Sequence, residues 1–424
     1  MTSRRTFLTL GTGAVLAITL PKMVFADTEN TPQKLIVLNQ VFADGAKWVG
    51  VAIQYTEPLQ AADLPRYRFL VQNRKVLGLY VTDSLKNGAK SEGKFVVLNL
   101  DPQDEAADLL QKKPHETSVK LKVGEKKDDS PEMKSVNGSV VINGQMFTTN
   151  ENKTAILDDF KQERWQDPET GKTVKYNLFV PPNYQFNRPY PLVLFMHDAG
   201  VTGNKIKAPL YQGLGAIVWA SAADQIQRPV FVLAPAFDEI VADDEAQTSD
   251  YLDATIHLIK HLITQYNIDT SRLYATGQSG GGMLAIAMNI RYPDFFAASY
   301  LVACQWDPAK VAPMAKSNLW ITVSEDDAKA FPGQTAIMQE LEKQGAKVAR
   351  AVWDAQWSQE EFQQAYARLT ATDANIYFVM FRKGSVFAAG ENPVNPGLGH
   401  INTWKYAYAI EPVRNWLLSQ QKSA

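Results

Sequence analysis

Three side chains far apart in this chain have the types needed for nucleophilic catalysis: Ser279, His400 and an acid between them. Ser279 lies in Gly277-Gln278-Ser279-Gly280-Gly281, a G-x-S-x-G stretch. The run before it, Arg272-Leu-Tyr-Ala-Thr, reads as a short buried strand, and the residues from Gly281 on read as an apolar helix. A serine on a tight turn from strand to helix has its hydroxyl exposed, and flanking glycines avoid the crowding side chains would cause there. The N–H of the next residue, Gly280, then stands at a helix N-terminus, where a developing oxyanion is stabilised. The bland alternative is a plain glycine-rich turn, which the strand before and the helix after argue against.

A serine hydroxyl is a poor nucleophile until a base takes its proton, and a third group must orient that base. Where the serine sits on such an elbow, the partners follow in the order acid, then histidine. Of five histidines only His400 follows Ser279. It lies in Asn395-Pro-Gly-Leu-Gly-His-Ile-Asn-Thr-Trp, expected to be a glycine-rich loop between the last strand and the last helix. His115 falls in a polar stretch, His197 ends an early strand, and His257 and His261 fall on an amphipathic helix as exposed or packing residues. For the acid, Ser324-Glu325-Asp326-Asp327 follows a strand-like run and offers three carboxylates. Asp327 is preferred and Asp326 comes second, with Asp354 and Asp307 as outside candidates; each is otherwise a solvent-facing turn acid. The second oxyanion donor is expected from the loop after an early strand, at the backbone N–H of Ala199.

The elements that must hold these residues change character along the chain. From about residue 35 to 145, short alternating or apolar runs such as Lys34–Leu38, Trp48–Ile53, Val76–Val81 and Lys94–Leu100 are separated by turn signals including Asp44-Gly45 and Asn143-Gly144. This pattern predicts a β-sandwich of immunoglobulin-like topology over 33–150. The charged run Glu125-Lys126-Lys127-Asp128-Asp129 is expected to be a solvated loop. Over 157–424 strand-like and helical runs alternate, the signature of a mostly parallel sheet covered by helices. Strands are expected at 174–180, 191–197, 230–235, at the elbow, and at 298–303, 319–323 and 376–381. Helices are expected at 250–266, 334–344, 359–369 and 404–418.

Composition narrows the chemistry further. The 424 residues are 45% hydrophobic and 21% charged, with a formal net charge of −2, so nothing attracts nucleic acid or an anionic membrane surface. The single cysteine, Cys304, excludes an intramolecular disulfide, and neither H-E-x-x-H nor C-x-x-C spacing occurs. The acid-rich stretch from Asp238 to Asp253 matches no calcium loop and reads as a solvated helix approach. Residues 1–26 read as an export signal: Arg4-Arg5, a short, weakly apolar run from Leu8 to Leu20, Pro21, and Ala26 before the expected cleavage point. The run is too short to span a bilayer, so a periplasmic or secreted protein without stable membrane insertion is expected.

The runs Tyr190-Pro-Leu-Val-Leu-Phe-Met-His, Asn267 to Met283, and Ser324 to Gly333 resemble bacterial α/β-hydrolases, most closely esterases of the feruloyl-esterase and polyhydroxybutyrate-depolymerase type. The front part resembles the immunoglobulin-like domain of some two-domain bacterial esterases. The resemblance covers about residues 157–420 for the hydrolase and is weaker for the front. It implies hydrolysis of a small-molecule or polymer carboxylic ester through an acyl-enzyme, with no metal or organic cofactor. Two departures stand out. Asp198 replaces the glycine that usually follows the histidine, and its carboxylate is expected to point away from the oxyanion. Gly280 stands where many members carry a bulkier residue. Two other readings compete: a serine peptidase of prolyl-oligopeptidase type, although no propeller repeat is present, and a non-catalytic binding protein on a hydrolase fold.

Overall fold

The computed structural model describes residues 30–86, 88–111, 122–128, 130–388, 390–391 and 396–422. The export segment expected at 1–26 and His115 lie outside the described residues. The front strands are β1 (Pro32–Phe42), β2 (Gly45–Gln60), β3 (Phe69–Val71), β4 (Val76–Thr82), β5 (Glu92–Leu100), β6 (Gly138–Ile142), β7 (Gln145–Thr149) and β8 (Asn152–Thr154). They form two sheets, ordered β4-β5-β2-β1-β8 and β3-β6-β7. The two-residue period puts Val51 and Ile53, Val96 and Leu98, and Val140 and Ile142 on inward faces, where they share one apolar core. This is the predicted sandwich.

The second unit is built on β9 (Lys161–Gln166), β10 (Thr173–Phe179), β11 (Tyr190–Met196), β12 (Phe231–Ala236), β13 (Ile268–Gln278), β14 (Ala298–Val302), β15 (Leu319–Ser324), β16 (Val348–Trp353) and β17 (Ile376–Phe381). They pair in the order β16-β17-β15-β14-β13-β11-β12-β10-β9. Only β10 runs against its neighbours, β9 and β12; the other pairings are parallel. The helices are α1 (Ala208–Tyr211), α2 (Leu214–Ile217), α3 (Ala222–Gln227), α4 (Tyr251–Gln265), α5 (Gly280–Arg291), α6 (Ala330–Lys343), α7 (Gln359–Thr370), α8 (Pro396–Ala407) and α9 (Glu411–Ser419). Strands β11, β12, β14 and β15 are buried along their whole length, as strands covered on both faces must be.

Three features depart from the sequence-based expectation. Neither edge strand reads as a long apolar run: β9 (KQERWQ) is polar except for Trp165, and the exposed Arg350 interrupts β16 (VARAVW), because an edge strand keeps one side toward solvent. The last expected helix is two: α8 ends at Ala407 and α9 begins anew with Pro412 in its first turn, a position that tolerates a missing N–H. α8 also begins at Pro396, ahead of the expected start, so His400 lies within its first half rather than in a loop. The described part of the charged run, 125–128, is also not simply solvated. Gly124 N donates to Ile240 O at 2.9 Å and Ile240 N donates back to Glu125 O at 2.9 Å, docking the front unit on the loop after β12.

Candidate active site

β13 delivers the serine and α5 leaves from it. Ser279 has φ 50° and ψ −121°, a conformation a residue with a β-carbon keeps only where its surroundings over-determine it. They do so here. Ser279 N donates to Val302 O on β14 at 3.0 Å, and Met283 N donates to Ser279 O at 2.9 Å, starting the helix. Gly281 permits the turn by close approach, since a β-carbon there would lie 2.1 Å from Met196 O on the neighbouring strand.

His400 and Asp327 complete a line of hydrogen bonds from this serine. His400 Nε2 stands 2.9 Å from Ser279 Oγ, and His400 Nδ1 stands 2.5 Å from Asp327 Oδ2. These partners assign the Nδ1–H tautomer, with Nε2 free to accept the hydroxyl proton. Asp327 is 2% exposed, and its Oδ1 accepts from Ala330 N at 2.9 Å and Lys329 N at 3.1 Å, at the start of α6. Burial pushes its pKa up, but the His400 hydrogen bond and charge, with those two N–H groups, outweigh burial and hold the carboxyl below its ordinary value. The Trp404 ring meets the His400 imidazole edge-to-face with centroids 5.1 Å apart, limiting its tilt.

The other acids are engaged elsewhere. Asp326 accepts from Gly384 N at 2.6 Å, so the adjacent candidate ties down a turn beyond β17. Asp307 accepts from Ala309 N at 2.9 Å, and Asp354 pairs with Arg382. Cys304 is fully buried, and burial pushes its thiol up to about 12, so it offers no competing thiolate. Trp306 packs in the core of the second unit. Asp243, in the acid-rich stretch, accepts from Glu245 N and Gln247 N, each at 3.1 Å. Among the described residues, no group of three or more His, Cys, Asp or Glu side chains is placed to hold a metal ion.

The loop after β11 brings Ala199 beside the elbow. A β-carbon on Gly280 would lie 3.5 Å from Ala199 N, so the two expected oxyanion donors belong to neighbouring residues in space. Asp198 has φ −72° and ψ 167°, ordinary extended angles, so no glycine is needed there. Its carboxylate accepts from Gly200 N at 2.9 Å and from Gln278 Nε2 at 3.0 Å. His197 is buried, its Nε2 accepting from Phe237 N at 3.1 Å and its Nδ1 lying 2.8 Å from Asp198 O. Burial lowers its pKa below the usual histidine range, keeping the ring neutral. Farther along, Asn204 N donates to Asp128 Oδ1 at 3.3 Å, so the front unit braces the end of this loop. Gln278 and His197 are the contributors that sequence reasoning left without a role. The one signal for Gln278 was its place directly before the serine. His257 and His261 are half-buried on α4, one against Asp167 at 3.0 Å and the other stacked on Trp165.

Comparison with known proteins matches both units. The family model for the esterase Ig-like N-terminal domain matches residues 34–155, and the esterase family model matches residues 168–377. The chain belongs to the two-domain α/β-hydrolase esterases. This esterase is similar in fold to a thermostable esterase of known crystal structure, with a TM-score of 0.73 and 24% identity, covering 92% of this chain and all of that one. It is also 23% identical over 154 residues to feruloyl esterase D of Neurospora crassa, a stretch covering 36% of this chain and 46% of the relative. That match therefore spans about half of the relative's length.

Proposed function

We propose that the protein is an exported serine esterase that cleaves carboxylic esters through an acyl-enzyme. The observation that carries this reading is the unbroken hydrogen-bonded line from Ser279 through His400 to the buried Asp327. Ser279 Oγ attacks the ester carbonyl while His400 Nε2 takes its proton, and Asp327 stabilises the imidazolium. The N–H groups of Ala199 and Gly280 receive the carbonyl oxygen as it gains charge. His400 then protonates the departing alcohol. Water, deprotonated by the same histidine, cleaves the acyl-serine and restores the enzyme. This route calls on neither metal nor organic cofactor. The sandwich expected over 33–150 is assigned a slightly wider span, from β1 through β8, because β8 pairs with β1; 157–424 is assigned to the catalytic unit, and residues 1–26 to a twin-arginine export signal to the periplasm or beyond.

Ser279→Ala tests the assignment: the variant should fold normally while p-nitrophenyl acetate turnover falls by roughly a million-fold, to near background. Wild-type turnover surviving in the variant would remove Ser279 from the mechanism. Labelling by a fluorophosphonate probe should track the same residue; an unlabelled, inactive wild type would favour the binding-protein reading. The peptidase reading uses the same triad, but the front unit is a sandwich, and no observation favours amide over ester. Feruloyl esters belong beside plain acyl esters in the substrate panel, because one relative carries that activity in its name. Changing Arg4 and Arg5 to lysine should leave the uncleaved precursor in the cytoplasmic fraction.

A further inference from the structure

We propose that Asp198 is a positioning residue of the oxyanion hole, its carboxylate fastening the Ala199 loop to the serine elbow through the Gln278 side-chain amide. The inference rests on the serine-esterase reading above. The two N–H groups of the hole come from separate backbone segments, the loop after β11 and the first residue of α5. Their relative placement is a tertiary matter, and one side-chain contact spans the gap: Asp198 Oδ2 accepts from Gln278 Nε2 at 3.0 Å. Gln278 is 2% exposed and ends β13, one residue before a serine whose own N–H is pinned to Val302 O. A bond to this side chain is therefore referenced to the nucleophile with little slack. The other oxygen, Oδ1, accepts from Gly200 N at 2.9 Å, and Ala199 N, between the two, lies 3.5 Å from where a β-carbon on Gly280 would stand.

Electrostatics argue that position, not charge, is what Asp198 supplies. A carboxylate one residue from the hole opposes the negative charge that develops there. Two N–H donors partly offset that charge, and both are directional. The angles at Asp198 are ordinary, so the carboxylate itself is what distinguishes this residue from glycine here. An asparagine would keep the geometry: its Oδ1 can accept from Gly200 N, and Gln278 can turn its amide so that Oε1 accepts from the new NH2.

The test is steady-state kinetics on p-nitrophenyl acetate with the full-length enzyme, with thermal melts of each variant. Asp198→Ala should lower kcat about ten- to a hundred-fold, somewhat less than losing an oxyanion donor outright. KM should stay within about two-fold, because the hole acts on the transition state. Gln278→Ala should do the same while leaving Asp198 on Gly200, and it carries the test alone should Asp198→Ala not fold. The double variant should fall no further than the deeper single one. Asp198→Asn should recover most of the lost kcat. Wild-type kcat in both alanine variants, or an asparagine variant as impaired as the alanine one, would overturn the proposal alone. A wild type without ester turnover would overturn the esterase reading and this proposal with it.

Discussion

At Asp327, burial favours the neutral acid, while His400 and the N–H groups opening α6 favour the anion, and the anion wins. A carboxylate that stays ionised at neutral pH can hold the imidazole in one tautomer and stabilise its charged form. Asp327→Asn should therefore cut kcat by about ten-thousand-fold with the fold intact. Asp326→Asn, which keeps an oxygen for Gly384 N, should leave kcat within about two-fold. Assaying the pair side by side separates two neighbouring acids that the sequence left close. His197 makes the second residue-scale prediction. Its folded pKa lies below the unfolded value of about 6.5, so the unfolded chain takes up a proton first as pH falls. Stability present above pH 6.5 is then lost as pH falls toward the folded value, at up to about 1.4 kcal/mol per pH unit. Urea midpoints measured between pH 7.5 and 5.5 should show this slope, and His197→Gln should flatten it.

Among the elements, α8 carries His400, and its seat on β15 and its loop decides where the imidazole lies. Gly399 allows that seat: a β-carbon there would stand 2.5 Å from Asp326 O, a backbone atom beside Asp327. At its other end, α8 is held by the Tyr300 hydroxyl, which donates to Ala407 O at 3.0 Å. Gly399→Ala should push the helix outward, costing about 1–3 kcal/mol of stability. It should also lower kcat by ten-fold or more, because a displacement near 1 Å is expensive in catalysis. Chemical denaturation and kinetics on one preparation check both. Full kcat in a variant that is merely less stable would show that α8 does not set the position of His400. Elsewhere the fold was legible wherever burial on both faces produced a continuous apolar run, as in β11, β14 and β15. It was illegible at the edge strands: β9 is polar except for Trp165, and β16 is short and broken by the exposed Arg350.

Taken whole, the molecule does not divide at its domain boundary. One apolar cluster joins sandwich residues such as Val37, Val51 and Leu109 to Phe195, Tyr211 and Trp219 of the catalytic unit. Polar contacts reinforce the junction: the Tyr211 hydroxyl donates to Pro131 O at 2.6 Å, and Val123 N donates to Asp243 Oδ2 at 3.2 Å. Separating the units would expose this shared core, so the chain should melt in a single calorimetric transition that coincides with loss of esterase activity. Two resolved transitions, with activity surviving the first, would show that the sandwich is dispensable. The charged stretch at 124–128 belongs to this junction, although its composition suggested only a solvated loop.

What could be read from residues alone was local or ordinal: a serine between a buried strand and an apolar helix, one histidine downstream of it, and an acid-rich turn after the right strand. Strand period and glycine placement are written within a few neighbouring residues, so two fold classes and the elbow followed from them. Asp327 is preferred from the sequence, but the contacts that separate it from Asp326, the helical seat of His400, and the partners of Gln278 and His197 could not be read that way. Each depends on which atoms of distant segments lie within about 3 Å of one another, and adjacent residues of equal chemistry differ only in direction. Packing supplies that direction: the start of α6 claims Asp327, the β17 turn claims Asp326, and the pinned backbone of Ser279 turns Gln278 toward Asp198.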